Sequence, residues 1–233
     1  MQIRSRRFSS RAELDAALAR RLEQAIRGGA ARAPTAIMLA GGHTPLPAYR
    51  ELARRRPACG AQLHLLYSDD RYVPADSDAS NYHATRPLLD ALALPEERVL
   101  RVRTELPLEQ AALDYERQLE ELLGRGTRVG LGLLGLGADG HTASLFRPED
   151  LERARGRLAI AVQRPDGMSG VSVTPEFLSR VAEPLFVVAG GGKFDAIRAF
   201  LRQDASLVAL QAVQGCQSVE LWVEQAAEFS LYA

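Results

Sequence analysis

Four times along this chain a short apolar run breaks off into glycines or polar residues: 35–40 before Gly41, 63–67 before Ser68, 129–136 before Gly137 and 185–189 before Gly190. Runs this short and this apolar fit strands covered on both sides, because a strand with one wet face alternates polar with apolar residues. Between and beyond them the apolar residues take helical spacing at 45–55, 82–91, 108–123 and 193–202, and further strand candidates lie at 99–102, 158–162, 171–174 and 219–223. Strand and helix periods that alternate in this way predict an α/β fold. The expected architecture is three-layer and Rossmann-like, with an open, mostly parallel sheet and helices on both faces. No repeat or linker interrupts the pattern, so residues 1–233 are expected to form a single α/β domain.

At the start, Ser10-Arg11-Ala12-Glu13 has the form of a capping box, and Leu14, Leu18, Leu22 and Ile26 follow at helical spacing until Gly28 and Gly29. An amphipathic helix is therefore expected to open the chain. The 29 basic and 29 acidic residues balance, which removes the basic excess that a nucleic-acid partner calls for. Cys59 and Cys216 lack metal-ligand spacing and read as reduced thiols of a cytoplasmic protein. The first residues include Arg4, Arg6 and Arg7 and no apolar segment, so neither a secretory leader nor a membrane-spanning helix is expected.

In open α/β sheets ligands bind beyond the carboxyl ends of the strands, which gives the four polar clusters a common destination. In the first, Gly41 and Gly42 free the backbone, His43 and Thr44 follow, and Pro45 suits a first helical turn; exposed N–H groups there would receive a phosphate. The second is Ser68-Asp69-Asp70-Arg71, completed by Ser80 and Asn81, in which Arg71 offers a fork to a phosphate or carboxylate and the acids orient it or act as base. The fourth, Gly190 to Lys193, puts an ammonium at a helix start, where it opposes the helix dipole unless an anion is present.

The third cluster carries the chemistry. Asp139-Gly140-His141 follows a strand end, so the acid would hold the imidazole in one tautomer while the other ring nitrogen takes a proton from water. Gly135, Gly137 and Gly140 also satisfy the G-x-G-x-x-G of a dinucleotide turn. That reading needs a helix opening at once and an acid closing the next strand, and the candidate at 157–163 ends without one.

Together these segments resemble the 6-phosphogluconolactonase family, within the glucosamine-6-phosphate isomerase and lactonase superfamily, from about Phe8 to Ala227. The strongest element is 135–146, which matches G-x-G-x-D-G-H-T-A-S-L-F at every fixed position, and its Thr-Ala-Ser-Leu-Phe tail favours the lactonase branch over the deaminase branch. The resemblance implies a cytosolic hydrolase that converts 6-phospho-D-glucono-1,5-lactone to 6-phosphogluconate in the oxidative pentose phosphate route. It implies His141 as general base with Asp139 orienting it, and Gly41, Gly42, His43, Thr44, Asp69, Arg71 and Lys193 around the sugar phosphate. No metal or cofactor is implied.

Four positions depart from the family pattern. His43 stands for serine or threonine, Asp70 for glutamate, and Arg147 interrupts a Phe-Pro pair, which is expected to shift the loop bearing Phe146. Gly170 stands where relatives place a phosphate-contacting arginine, leaving Arg164 or Arg180 to substitute. Two other functions stay open: an amino-sugar phosphate deaminase or isomerase that moves a proton with Asp69 or Asp70, and a sugar-phosphate sensor without chemistry.

Overall fold

The structure, a computed structural model, describes residues 1–28 and 34–225. Gly29, one of the two expected helix stops, and Ala227, the expected end of the resemblance, lie outside the described residues. The chain opens with a strand, β1 (Gln2–Phe8), and not with helix α1 (Arg11–Gly28). β1 escaped the pattern because it is an edge strand whose only fully buried residue is Phe8. At the start of α1, Ser10 Oγ accepts from Glu13 N at 3.3 Å as a capping box requires, but the Glu13 carboxylate receives Ser9 N at 2.9 Å instead of Ser10 N.

There follow β2 (Thr35–Leu39), α2 (Leu46–Arg55), β3 (Leu63–Tyr67), β4 (Asp69–Arg71), α3 (Asn81–Ala91), α4 (Leu108–Gly124) and β5 (Arg128–Leu134). Then come α5 (Pro148–Arg153), β6 (Ala159–Gln163), β7 (Ser169–Val173), α6 (Pro175–Leu178), β8 (Pro184–Val188), α7 (Phe194–Leu201), α8 (Val208–Ala212) and β9 (Ser218–Glu224). Residues 99–102 are not the strand expected. Val99 makes a single bridge to Leu65, and Thr104 N and Leu106 N then bond back to Val102 O and Arg103 O as the chain turns towards α4.

Six strands form one parallel sheet in the order β1-β9-β8-β5-β2-β3. The candidates at 158–162 and 171–174 do not join it. They become β6 and β7, which pair antiparallel with each other and with β4 in a separate three-stranded sheet. The short connection through Pro165, Asp166 and Gly167 dictates this, since only antiparallel strands can be joined by so tight a turn.

Alternation along the strands divides the core. Ile37 and Leu39 face one side with α1, α2 and α3, while Ala36 and Met38 face the other with α4, the small sheet, α6 and α7. The β2–β5 pairing skips Gly130, so Val129 lies in the second core but Leu131 and Leu133 in the first. Neighbouring β2 and β5 feed opposite directions: β2 leads to β3 through α2 in one layer, and β5 leads to β8 through the small sheet in the other. Such a reversal opens a crevice at the strands' carboxyl ends.

Candidate active site

A cleft of about 340 Å³ occupies that crevice, and Gly41, Gly42, His43, Thr44, Asp69, Arg71, His141 and Lys193 all line it. Asp139 stands behind His141, its Oδ1 2.5 Å from Nδ1 and 3.3 Å from the His141 backbone N. The turn is built by Gly137 N donating to His141 O at 2.9 Å and by Gly140, whose φ is +83°. A Cβ on Gly137 would fall on His141 Nδ1 and Asp139 Oδ1. Burial pushes the Asp139 carboxyl up, but the hydrogen bond and charge of His141 outweigh it and hold the group below the usual carboxylate range. The imidazole is packed against Phe146, with ring centroids 4.3 Å apart. No helix follows Gly140, and α5 begins only at Pro148, so the dinucleotide turn is absent.

The glycine loop runs from β2 into α2, whose first turn has no side-chain cap and so leaves backbone N–H groups for a ligand. Arg11 grips this loop from outside the cleft, donating to His43 O at 3.1 Å and Thr44 O at 2.9 Å while its Nε holds Asp15 at 2.8 Å. Any side chain at Gly41 would overlap Asn81, so the glycine is needed for close approach.

The two acids of the second cluster part company. Asp69 lines the cleft and is fully engaged, with Oδ1 accepting from Ser68 Oγ at 2.8 Å and Oδ2 from Ser144 Oγ at 2.7 Å. Asp70 is 2% exposed and does not line the cleft. It ties β4 to α3 by accepting from Arg71 N at 2.8 Å, Asn81 N at 2.7 Å and Tyr82 N at 3.1 Å. Arg71 in turn donates through one terminal nitrogen to Asn81 Oδ1 and Ala79 O, while its buried Nε has no partner.

Burial pushes the Asp70 pKa up to about 6, against the opposing N–H bonds from Asn81 and Tyr82. Because this lies above the ordinary 3.8, the folded chain holds the proton more tightly than the unfolded one between the two values. The ionised group therefore costs stability above pH 6, and the cost fades as pH falls towards 4. Relative to Asp70→Asn, the unmodified protein is expected to lose on the order of 2 kcal/mol of stability as pH rises from about 4 to about 7. Paired thermal melts across that range test this, and a difference independent of pH would refute it.

Lys193 reaches across from the fourth cluster to donate to Leu136 O at 2.8 Å. Burial lowers its pKa and the charge of Asp139 partly restores it. Arg164, on the turn after β6, also lines the cleft, whereas Arg180 lies out on the surface paired with Glu176. Among the described residues no group of three or more His, Cys, Asp and Glu side chains could hold a metal ion.

The sequence model of the family described as glucosamine-6-phosphate isomerases/6-phosphogluconolactonase matches residues 9–222. The chain belongs to this family. A 6-phosphogluconolactonase of Thermotoga maritima is 35% identical over 170 residues, 71% of this chain and 74% of its own. The human 6-phosphogluconolactonase is 35% identical over 207 residues, covering 83% of this chain and 80% of its own. The crystal structure of a 6-phosphogluconolactonase from T. maritima superposes with a TM-score of 0.78 at 27% identity, over 96% of this chain and 99% of the other. A monomeric glucosamine-6-phosphate deaminase superposes with a TM-score of 0.80 at 16% identity, which establishes a shared fold only.

Within this glucosamine-6-phosphate isomerase/6-phosphogluconolactonase fold, the departures have local accounts. Arg147 leaves the loop anchored, because Asp150 Oδ2 accepts from both Phe146 N and Arg147 N at 3.1 Å. Gly170 sits opposite Arg71 in the β4–β7 pair, and the stem of Arg164 passes beside it. Arg11 and the ring contact of Phe146 were not anticipated from the sequence. Arg11 carries no local signal, since its partners lie 32 and 33 residues away.

Proposed function

We propose that this chain hydrolyses 6-phospho-D-glucono-1,5-lactone to 6-phosphogluconate in the oxidative pentose phosphate route, with His141 as general base. The observation that carries the reading is the bond from Asp139 to His141 Nδ1 at the wall of a cleft that also holds Arg71, Arg164 and Lys193. With Nδ1–H donated to Asp139, Nε2 is left as the acceptor. Water loses a proton to Nε2 as its oxygen attacks the lactone carbonyl, and Asp139 stabilises the imidazolium that results. The tetrahedral intermediate then collapses, and His141 returns the proton to the ring oxygen as the C–O bond breaks. Backbone N–H groups of the glycine loops stabilise the oxyanion. Arg71, Lys193 and the loop from Gly41 to Thr44 receive the phosphate.

The isomerase alternative requires a carboxylate free to carry a proton between carbons. Asp69 has both oxygens occupied by hydroxyls and Asp70 is outside the cleft, which weighs against it. A pure sensor has no use for the acid–imidazole pair. We also take the chain as one lactonase-like domain, since both cores share a single parallel sheet. The cytosol is its proposed compartment, with Cys59 and Cys216 free and no described helix long and apolar enough to cross a membrane.

The direct test is hydrolysis of freshly generated lactone at slightly acidic pH, where spontaneous opening is slow, with and without purified protein. Acceleration supports the proposal; turnover of glucosamine 6-phosphate without it overturns the proposal. Gly137→Ala gives a finer check, because the added methyl collides with the His141–Asp139 pair. It is expected to lower kcat by about 10²-fold in a chain that still folds, as displaced reacting groups do. Unchanged kcat together with an unchanged circular dichroism spectrum would contradict the pairing.

A further inference from the structure

We propose that Arg164 and Arg71 form a two-guanidinium clamp for the substrate phosphate, and that Asp166 holds part of this clamp as an internal anion which the phosphate displaces. The inference rests on the sugar-phosphate reading above.

The small sheet brings the two arginines together. Gly170 on β7 pairs with Arg71 on β4 on one side and with Val162 on β6 on the other. A Cβ at Gly170 would lie 2.9 Å from Asp70 O and 3.5 Å from Arg164 Cδ, so the stem of Arg164 runs past the residue that faces Arg71. Its side chain is only 12% exposed and forms part of the cleft wall. One terminal nitrogen donates to Ser144 Oγ at 2.8 Å, and the ring of Phe146 lies 5.2 Å away.

A cation buried to this extent calls for an anion. Asp69 is 4.0 Å distant and already bound by two hydroxyls, so it serves poorly. Asp166, at the tip of the turn and 41% exposed, instead meets the free edge of the fork, with Oδ2 3.2 Å from Nε and 3.0 Å from NH2. Its carboxyl is held below the usual range by the bond to Arg164, with the charge of Arg71 acting in the same direction. One exposed carboxylate therefore holds the free edge of Arg164 beside the cleft. A phosphate, with nearly two charges and three acceptor oxygens, satisfies the same donors better. Asp166, being tethered, competes with it at high effective concentration.

Calorimetric titration of the full chain with 6-phosphogluconate and with gluconate tests the clamp. The unmodified protein is expected to prefer the phosphorylated acid by at least about tenfold, from charge-assisted bonds to the phosphate. Arg164→Gln is expected to weaken 6-phosphogluconate by about tenfold, and Asp166→Asn to tighten it by about three- to tenfold, with gluconate unaffected in both. A structural role for the turn would instead move both variants in the same direction, which overturns the proposal. If the unmodified protein discriminates but neither variant changes, the clamp alone is overturned. Equal affinity of the unmodified protein for both acids overturns the sugar-phosphate reading itself.

Discussion

His141→Asn is expected to lower kcat by about 10²–10⁴-fold, the usual contribution of a positioned general base. Asparagine can still donate to Asp139 from a comparable position, but it has no basic nitrogen to accept the proton of water. His141 is partly exposed and stacks on Phe146 at the cleft wall, so its replacement leaves both cores intact. Melting temperature and KM should therefore stay close to those of the unmodified chain, and the loss should fall on kcat. Because the Asp139 carboxyl is held below the usual range, the pair keeps its acid ionised throughout a slightly acidic lactone assay. A variant with near-normal kcat would remove His141 from the chemistry.

Arg71→Ala is expected to act on the other kinetic constant, raising KM by about 10- to 10²-fold, as lost charge-assisted bonds to a phosphate do. The guanidinium is aimed before any ligand arrives: Asn81 Oδ1 and Ala79 O hold one terminal nitrogen, while Nε is buried without a partner. Binding that is equal in ground and transition states changes KM and spares kcat. Arg71→Lys keeps the charge but not the planar fork, and should lie between. Steady-state kinetics of the three proteins, with melts to exclude loss of the Asn81 contact as the cause, decide the matter. An unchanged KM in Arg71→Ala would take Arg71 out of the phosphate site.

The strand at 185–189 was legible because a central parallel strand is apolar on both faces, the one at 63–67 because it is almost wholly buried although it ends the sheet, and the helix over 108–123 because its buried residues, from Ala111 to Leu122, recur at helical spacing. β1 was not, since an exposed edge of arginines has no apolar period. Of the site, the His141 turn could be read directly, because Asp139, Gly140 and His141 act through neighbours in sequence. The acids of the second cluster could not be told apart. Adjacent residues on a strand point to opposite sides, and only tertiary structure decides that Asp69 meets Ser144 and Asp70 meets α3. Arg164 was one of two candidates near Gly170, and the antiparallel pairing of β6 and β7 puts it, and not Arg180, at the cleft.

Ser144 links two parts of the cleft that arise far apart in sequence. Its hydroxyl donates to Asp69 and accepts from Arg164, and its backbone N bonds Ser172 Oγ at 3.1 Å. The loop carrying His141 is thereby fastened to β4, which carries Arg71, and to β7. The conformational entropy of that loop is lost when the chain folds and not when a ligand arrives. Association then bears no cost of ordering this loop, so a small, polar substrate can be held by few contacts.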